Sequence, residues 1–138
     1  MQTLYTTTAV ATGDGRNGHV QTIDGLLSTD VRMPVELGGA GGATNPEQLF
    51  AAGYAACFHS ALKLVAGQLG GDATDSEVVA DVSIGMLPSG GFGLAVQLEV
   101  TLPAMEHEAA EVLVKAAHEV CPYSNATRGN IDVTLSVA

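Results

Sequence analysis

Apolar and polar residues alternate most clearly in two segments of the second half of the chain, "EVVADVSIGMLP" and "FGLAVQLEVTLP". Such alternation is typical of strands with one buried face, and the "SGG" between the segments predicts a hairpin. Near the N-terminus, the Thr- and Val-containing segments "LYTTTAVATG", "HVQTID" and "LLSTDVRM" predict a strand meander, with "GDGRNG" as its first turn. A last alternating segment, "DVTLSV", predicts one more short strand.

Two other segments predict helices. Asn45 is a favourable N-cap, Pro46 suits the first helical position and Glu47 favours the positive end of a helix. From Leu49 to Val65 apolar residues cover nearly every face, so we expect this helix to be buried all round. The segment "MEHEAAEVLVKAAHEV" predicts a second helix, with an apolar stripe at positions 109, 112, 113, 116, 117 and 120.

The predicted order of elements, βββ-α-ββ-α-β, indicates an α+β fold in a single domain over residues 1–138. Charged residues make up only 14% of the chain, which is little for a monomer that must cover its whole surface. A fully apolar helix is also hard to cover with a few short strands and one amphipathic helix. Both observations favour an intimate homodimer, in which a second copy covers the remaining faces.

The charge of the chain argues against several classes of partner. The formal net charge is −10 and there are only five basic residues, without a cluster, so we expect neither nucleic acid nor an anionic membrane as partner. The N-terminal segment lacks the positive start and apolar core of a signal peptide, and no run reaches the roughly 18 apolar residues that span a bilayer. We therefore expect a cytoplasmic protein without a permanent structural disulfide.

The two cysteines, Cys57 and Cys121, are the candidate reactive groups. Cys57 lies about three turns inside the apolar helix, so only a cation brought from elsewhere could make it a thiolate at neutral pH. Pro122 holds Cys121 at a helix end in a rigid turn, which suits a thiol that attacks an oxidised partner. In the alternative interpretation, both thiols are buried and act as small apolar residues. There is no CxxC motif and no zinc-like Cys/His spacing, so we expect no metal and no other cofactor.

Few cations are available to activate a thiol. The five candidates are Arg16, Arg32, Lys63, Lys115 and Arg128. Arg16 lies in the glycine-rich turn, from which a guanidinium could project over a neighbour, and Arg128 follows Cys121 closely. An arginine in a turn is, however, usually a solvated surface residue, and an acid such as Glu47 often only favours the start of its helix. The residues by themselves leave both interpretations open.

Three segments are long and specific: "GGAGGATNPEQLFAAGYAACFHSALK", "GMLPSGGFGLAVQLEVTLP" and "VCPYSNATRGNIDVTL". With them, essentially the whole chain closely resembles the organic hydroperoxide resistance proteins, the Ohr branch of the OsmC/Ohr family. The resemblance implies an OsmC/Ohr-like fold and an interwoven homodimer, with strands wrapped around central buried helices. It also implies a bacterial thiol peroxidase that reduces organic hydroperoxides, including alkyl and fatty-acid hydroperoxides, to alcohols in the response to oxidative stress.

The resemblance assigns roles to four residues. Cys57 corresponds to the peroxidatic cysteine of the family and Cys121, in "VCPYS", to the resolving cysteine. Arg16 and Glu47 correspond to the arginine and glutamate that are paired with the thiolate. The resemblance further implies that a lipoylated protein or another dithiol reopens the Cys57–Cys121 disulfide. The sequence departs from many relatives at His19, where they carry a second arginine.

Helix geometry adds a constraint that the resemblance does not supply. Glu47 and Cys57 are ten residues apart, about 15 Å on a straight helix. One arginine cannot comfortably reach both within one chain. Either the helix begins later than Asn45, or Glu47 serves the site of the partner subunit; we favour the partner subunit.

The rings near Cys57 indicate an apolar substrate. Phe50, Tyr54 and Phe58 lie on or beside the same helix, and apolar walls suit alkyl hydroperoxides, although any of the rings could instead be plain core. Two rival functions remain. One is that of the osmotically induced sister branch, which shares the chemistry. The other is a non-enzymatic dimeric module that binds a small apolar ligand and keeps both thiols inert.

Overall fold

The structure, a computed structural model, describes residues 1–138. The elements in chain order are β1 (Ala9–Thr12), β2 (His19–Thr22), β3 (Ser28–Asp30), α1 (Pro46–Leu69), β4 (Glu77–Met86), β5 (Phe92–Thr101), α2 (His107–Val120), α3 (Pro122–Thr127) and β6 (Asp132–Val137). Single 3-10 turns occupy Gly15–Asn17 and Val35–Leu37. The α+β class is confirmed, and the element order differs from the predicted one by the added helix α3.

Helix α3 begins where a rigid turn was predicted. Cys121 has φ −64° and ψ 123°, an extended conformation that ends α2, and Pro122 then provides the first residue of α3. A proline restricts the residue before it to extended angles but fits the first turn of a helix, where its missing N–H is not needed. The backbone N–H of Asn125 donates to the carbonyl of Cys121 (2.9 Å) and closes the first turn.

Contacts divide the chain into two compact units, Met1–Leu49 and Phe50–Ala138. The prediction of a single domain over residues 1–138 therefore stays a prediction. In the first unit, β1, β2 and β3 form an antiparallel sheet in that order. His19 pairs with Asp30 across β2 and β3, and its two ring nitrogens lie 2.9 Å from Asp30 and 3.1 Å from Ser28.

In the second unit, β4, β5 and β6 form a sheet in that order, with β4 antiparallel and β6 parallel to the central β5. The predicted alternation is confirmed, because Val96, Leu98 and Val100 of β5 are buried while the residues between them are exposed. These side chains pack in one apolar cluster with residues of α1 and α2. The core of this unit therefore lies between the helices and one face of the sheet.

The prediction that α1 is buried all round is not met within one chain. Its buried residues are Tyr54, Phe58, Ala61, Leu62, Val65 and Ala66, whereas Ala52, Ala56 and Leu64 are exposed. By length and mean hydropathy α1 is also apolar enough to cross a membrane, although polar residues interrupt its apolar run, as predicted. Its buried residues belong to the apolar core and indicate a core helix. The exposed apolar residues stay uncovered in the single chain, on a side of α1 that also carries Ser60 and Lys63.

The apolar stripe of α2 is rotated relative to the predicted one. The buried residues are Ala110, Leu113, Val114 and Ala117, and the stripe continues into the fully buried Cys121. Ala109 and Val112, which the pattern had placed on the buried face, are exposed. Apolar residues at both edges of this helix are compatible with either face, so only packing against the sheet decides which one is buried.

Candidate functional site

The glycine-rich turn between β1 and β2 carries Arg16. A side chain at Gly18 is excluded, because a Cβ there would lie 2.2 Å from the carbonyl oxygen of Thr12. Gly15 has φ +56°, a left-handed conformation that favours glycine. Two glycines therefore shape the 3-10 turn Gly15–Asn17, and this turn presents the Arg16 side chain.

Arg16 and Glu47 form a bidentate ion pair within one chain. Nη1 donates to Oε2 and Nη2 donates to Oε1, both at 2.8 Å. Glu47 lies in the first turn of α1, where the side chain of Asn45 accepts a hydrogen bond from the N–H of Gln48 (2.9 Å) as the N-cap. The hydrogen bond from Arg16 holds the pKa of Glu47 below its ordinary value. The Arg16 guanidinium is thus fixed in direction by a carboxylate that stays ionised at neutral pH.

The two thiols lie together in the second unit. Sγ of Cys121 lies 3.7 Å from Sγ of Cys57, and both cysteines are free. Cys121 is fully buried, while Cys57 is partly accessible. Two sulfur atoms at this separation are in contact without being bonded, and a disulfide needs an S–S distance of about 2.05 Å. Only a small movement is required to join them.

Burial raises the pKa of the Cys57 thiol above its ordinary value. A hydrogen bond from the backbone N–H of Tyr123 lowers the pKa in part, and the neighbouring Cys121 raises it further. Burial disfavours a charged group because it removes water. Cys57 therefore needs a positive charge near the sulfur if it is to ionise readily at neutral pH.

The carbonyl of His118 lacks its usual helical partner. In a continuous helix the N–H of residue 122 would donate to it, but Pro122 has no N–H. The guanidinium of Arg128 donates to this carbonyl instead, and also to the side-chain oxygen of Asn125 (2.9 Å). Arg128 therefore ties the end of α3 to the end of α2, and its charge is not directed at Cys121.

A buried hydroxyl cluster joins α3 to α1. The hydroxyl of Tyr54 lies 2.9 Å from Oγ of Ser124 and 3.0 Å from Oγ1 of Thr127. Oγ1 of Thr127 also donates to the carbonyl of Ser124 (3.3 Å). Tyr54 and Ser124 are fully buried and Thr127 nearly so. Buried hydroxyls require partners, and here each finds one inside the cluster.

An open cavity of about 780 Å³ lies beside this cluster. Its lining is mostly apolar and comprises Phe50, Leu87, Phe92, Gly93, Leu94, Tyr123, Ala126, Thr127, Asn130, Ile131 and Asp132. Of the three rings that the sequence placed near Cys57, only Phe50 lines the cavity. Tyr54 and Phe58 are fully buried core residues. The cavity wall reaches the reactive pair through Tyr123, whose backbone N–H bonds to Cys57.

Each predicted site residue can now be placed. Arg16 and Glu47 form one pair and Cys57 and Cys121 form another. The sequence left open a helix that begins well beyond its predicted N-cap, Asn45. This is wrong, because α1 begins at Pro46, directly after Asn45. Glu47 and Cys57 therefore lie ten residues apart on one continuous helix, about 15 Å along its axis.

Two of the other candidate cations are engaged elsewhere. Arg32 donates to the carbonyl oxygens of Gly18 and Val31, and Lys63 donates to the carbonyl of Ala73. The structure groups no three His, Cys, Asp or Glu side chains that could hold a metal ion.

Sequence patterns did not reveal the hydroxyl cluster or the role of Arg128. The only available signal was the segment "CPYSNATRGN", a motif specific to the family that the chain resembles. It contains Ser124, Thr127 and Arg128. Tyr54 lies 70 residues before Ser124, so no local pattern could connect the two. These contacts depend on how α3 packs against α1.

Comparison with known proteins places the chain in a family. The family described as OsmC-like protein matches residues 39–136. An organic hydroperoxide resistance protein of Xanthomonas axonopodis pv. citri (strain 306) is 54% identical over 98% of this chain and 95% of its own. A crystal structure of an organic hydroperoxide resistance protein from Legionella pneumophila superposes with a TM-score of 0.95 at 57% identity and covers 99% of both chains. The structure of the organic hydroperoxide resistance protein OhrB of Bacillus subtilis superposes with a TM-score of 0.89 at 47% identity. The match covers 99% of this chain and the whole of the OhrB chain.

Proposed function

Because the chain belongs to the OsmC family, in its organic hydroperoxide resistance branch, we propose that it is a thiol-dependent peroxidase that reduces organic hydroperoxides to alcohols. The observation that carries the proposal is the contact between two free thiols, 3.7 Å apart. Neither cysteine lines the apolar cavity, but Tyr123, two residues after Cys121, does. Thiols in contact suit a catalytic cycle that passes through a disulfide. The branch itself is one of organic hydroperoxide resistance, consistent with defence against oxidative stress.

The cycle begins at Cys57. Its thiolate attacks the peroxide oxygen that is farther from the organic group, the O–O bond breaks, and the organic fragment leaves as an alcohol after taking a proton. Cys57 is then a sulfenic acid. The sulfur of Cys121 attacks the sulfur of Cys57, an S–S bond forms, the S–O bond breaks, and water leaves. A dithiol reopens the disulfide by exchange.

Activation of Cys57 requires a cation, because burial raises its pKa. Within this proposal the cation is Arg16 of a second copy of the chain, and Glu47 of that same second copy holds its guanidinium in direction. Two observations support a homodimer with shared sites: the distance along α1 between Glu47 and Cys57, and the exposure of Ala52, Ala56 and Leu64 on that helix. A guanidinium beside the sulfur would favour the thiolate and would also stabilise the charge that develops on the leaving oxygen.

The cavity indicates the class of substrate. Phe50, Phe92 and Leu94 offer apolar walls that suit the organic group of an alkyl or fatty-acid hydroperoxide. Hydrogen peroxide has no such group and gains nothing from the walls. We therefore expect higher kcat/KM for cumene or linoleic hydroperoxide than for hydrogen peroxide.

The proposed reductant follows from the resemblance alone. A lipoylated protein or another dithiol is proposed to recycle the disulfide, and the protein is proposed to act in the cytoplasm. No metal or other cofactor takes part in the proposed cycle, since both redox steps occur on sulfur.

Peroxidase assays with dihydrolipoamide, glutathione and thioredoxin test the proposal. Turnover of organic hydroperoxide with a dithiol, abolished in Cys57→Ser and unchanged in the control variant Ser83→Ala, at an exposed position of β4, is the expected result. Two thiols that stay unreactive toward peroxide at neutral pH would instead support a non-enzymatic module that binds an apolar ligand in the same cavity.

Mixed dimers test the shared site. When Cys57→Ser chains are combined with Glu47→Ala chains, a shared site predicts recovery of one active site per dimer, because one Cys57 then meets an intact Glu47. If the mixture recovers no activity, each site is built from one chain.

A further inference from the structure

We infer that the hydroxyl of Tyr54 is a positioning group for the second chemical step, the attack of Cys121 on oxidised Cys57. This inference rests on the proposed function. It arises from the buried cluster of Tyr54, Ser124 and Thr127, which belongs to neither the thiol pair nor the Arg16–Glu47 pair.

The cluster lies close in sequence to both cysteines. Tyr54 precedes Cys57 by three residues on α1, and Ser124 follows Cys121 by three residues. Residues three apart on a helix share a face, so Tyr54 points toward the same neighbour as Cys57. A hydrogen bond between Tyr54 and Ser124 therefore sets the separation of the two backbone segments that carry the sulfur atoms.

One assignment of protons satisfies every hydroxyl. Thr127 donates to the carbonyl of Ser124, so its oxygen accepts from Tyr54, and the oxygen of Tyr54 accepts from Ser124. The chain of donors closes without water. Loss of the Tyr54 hydroxyl would leave Ser124 without an acceptor and Thr127 without a donor, and Ser124 is fully buried, so water cannot replace its lost partner.

Positioning matters more for the second step than for the first. Peroxide diffuses freely to Cys57. The sulfur of Cys121, which directly precedes α3, reaches the sulfur of Cys57 only if α3 is packed on α1 as in this structure. In the second step the sulfur of Cys121 forms the S–S bond, the S–O bond of the sulfenic acid breaks, and the hydroxide leaves as water with the proton of the thiol. A small displacement of either backbone segment slows such a step strongly, because the sulfur atoms must move from 3.7 Å to bonding distance.

Tyr54→Phe separates the two steps, because it keeps the ring and removes one oxygen. We expect the rate of peroxide reaction at Cys57 to change less than about twofold and the rate of disulfide formation to fall about tenfold or more. The sulfenic acid should then accumulate, react with dimedone, and be overoxidised to sulfinic acid at lower peroxide concentration. Stopped-flow kinetics and intact-protein mass spectrometry measure these quantities. Tyr5→Phe, at an exposed tyrosine, is the matched control.

Ser124→Ala provides a second variant on the opposite side of the same hydrogen bond. It should slow disulfide formation as Tyr54→Phe does, and the double variant should be no slower than the slower single one. Should Tyr54→Phe fail to fold, Ser124→Ala decides the question by itself. Equal slowing of both steps, or unchanged disulfide formation in a folded variant, overturns the inference. A wild-type protein whose Cys57 does not react with organic hydroperoxide at all overturns the proposed function instead.

Discussion

The substitution Gly53→Ala measures how tightly α3 is packed on α1. Alanine is favoured over glycine in a helix interior by about 1 kcal/mol, so the substitution by itself should raise the free energy of unfolding. An added Cβ would, however, lie 3.0 Å from the hydroxyl oxygen of Tyr123, 3.2 Å from its Cε2 and 3.4 Å from its Cζ. The ring of Tyr123 must therefore move by a few tenths of an ångström.

This movement has a modest cost. Tyr123 is 39% exposed and borders the open cavity, so its ring has room to yield. Displacing a side chain from its preferred rotamer costs about 0.5–1.5 kcal/mol, and a small shift of an accessible ring belongs at the lower end. We expect a net gain in the free energy of unfolding of about 0.5 kcal/mol, or half the helix-propensity term.

Urea unfolding measures the change through the midpoint, provided that the slope m is unchanged. Gly67→Ala is the matched control, because it lies on the same helix and its added Cβ would meet no atom within 4 Å. It should gain the full amount of about 1 kcal/mol. In a Tyr123→Phe background, the stability gain from Gly53→Ala should come closer to that from Gly67→Ala, since the oxygen nearest to the added Cβ is gone. Equal gains for Gly53→Ala and Gly67→Ala in the wild-type background would refute the close packing of Tyr123 on α1.

Three further substitutions probe the core, the ion pair and the end of α2. Phe58→Ala should lower the free energy of unfolding by about 3–5 kcal/mol, because the ring is fully buried. Arg16 lowers the pKa of Glu47, so the pair stabilises the fold fully above the ordinary Glu pKa of about 4.3 and progressively less as pH falls through the lower folded pKa. Glu47→Gln should remove that part of the acid dependence in pH-dependent unfolding. Arg128→Met should cost about 1 kcal/mol in urea unfolding, because the carbonyl of His118 loses its donor.

Each of these substitutions has a matched control. Phe92→Ala, at an exposed ring, should change stability by less than about 1 kcal/mol. Glu108→Gln, in the first turn of α2, should retain the part of the pH dependence of unfolding that Glu47→Gln removes. Lys115→Met, at an exposed position of α2, should change stability by less than about 0.5 kcal/mol. If a control variant changes the measured quantity as much as the variant it is matched with, the contact assigned to the substituted residue is contradicted.

Local patterns predicted most of the elements in the second half of the chain. The hairpin of β4 and β5 was predicted because alternation along most of each strand leaves only one face for burial. The start of α1 was predicted because Asn45, Pro46 and Glu47 each favour the same helix end. Helix α3 was missed, since a six-residue helix that begins at a proline looks like a turn in sequence.

The candidate site divides in the same way. The identity of the reactive groups was evident because the chain has only two thiols and few cations. Local patterns did not show their arrangement, and only the resemblance implied it, since Cys57 and Cys121 are 64 residues apart and Arg16 and Glu47 are 31 apart. Separations of this length carry no local signal.

The sequence by itself determined the element types except that of α3, the branch that the chain resembles, and the residues able to react, because these depend on side-chain chemistry and short-range periodicity. Only the tertiary structure decided which face of α2 is buried, that Arg16 meets Glu47, and that the Tyr54 hydroxyl fastens α3 onto α1. Those outcomes depend on packing between segments that are distant in the chain, where burial of apolar area and the pairing of buried hydroxyls select one arrangement among many.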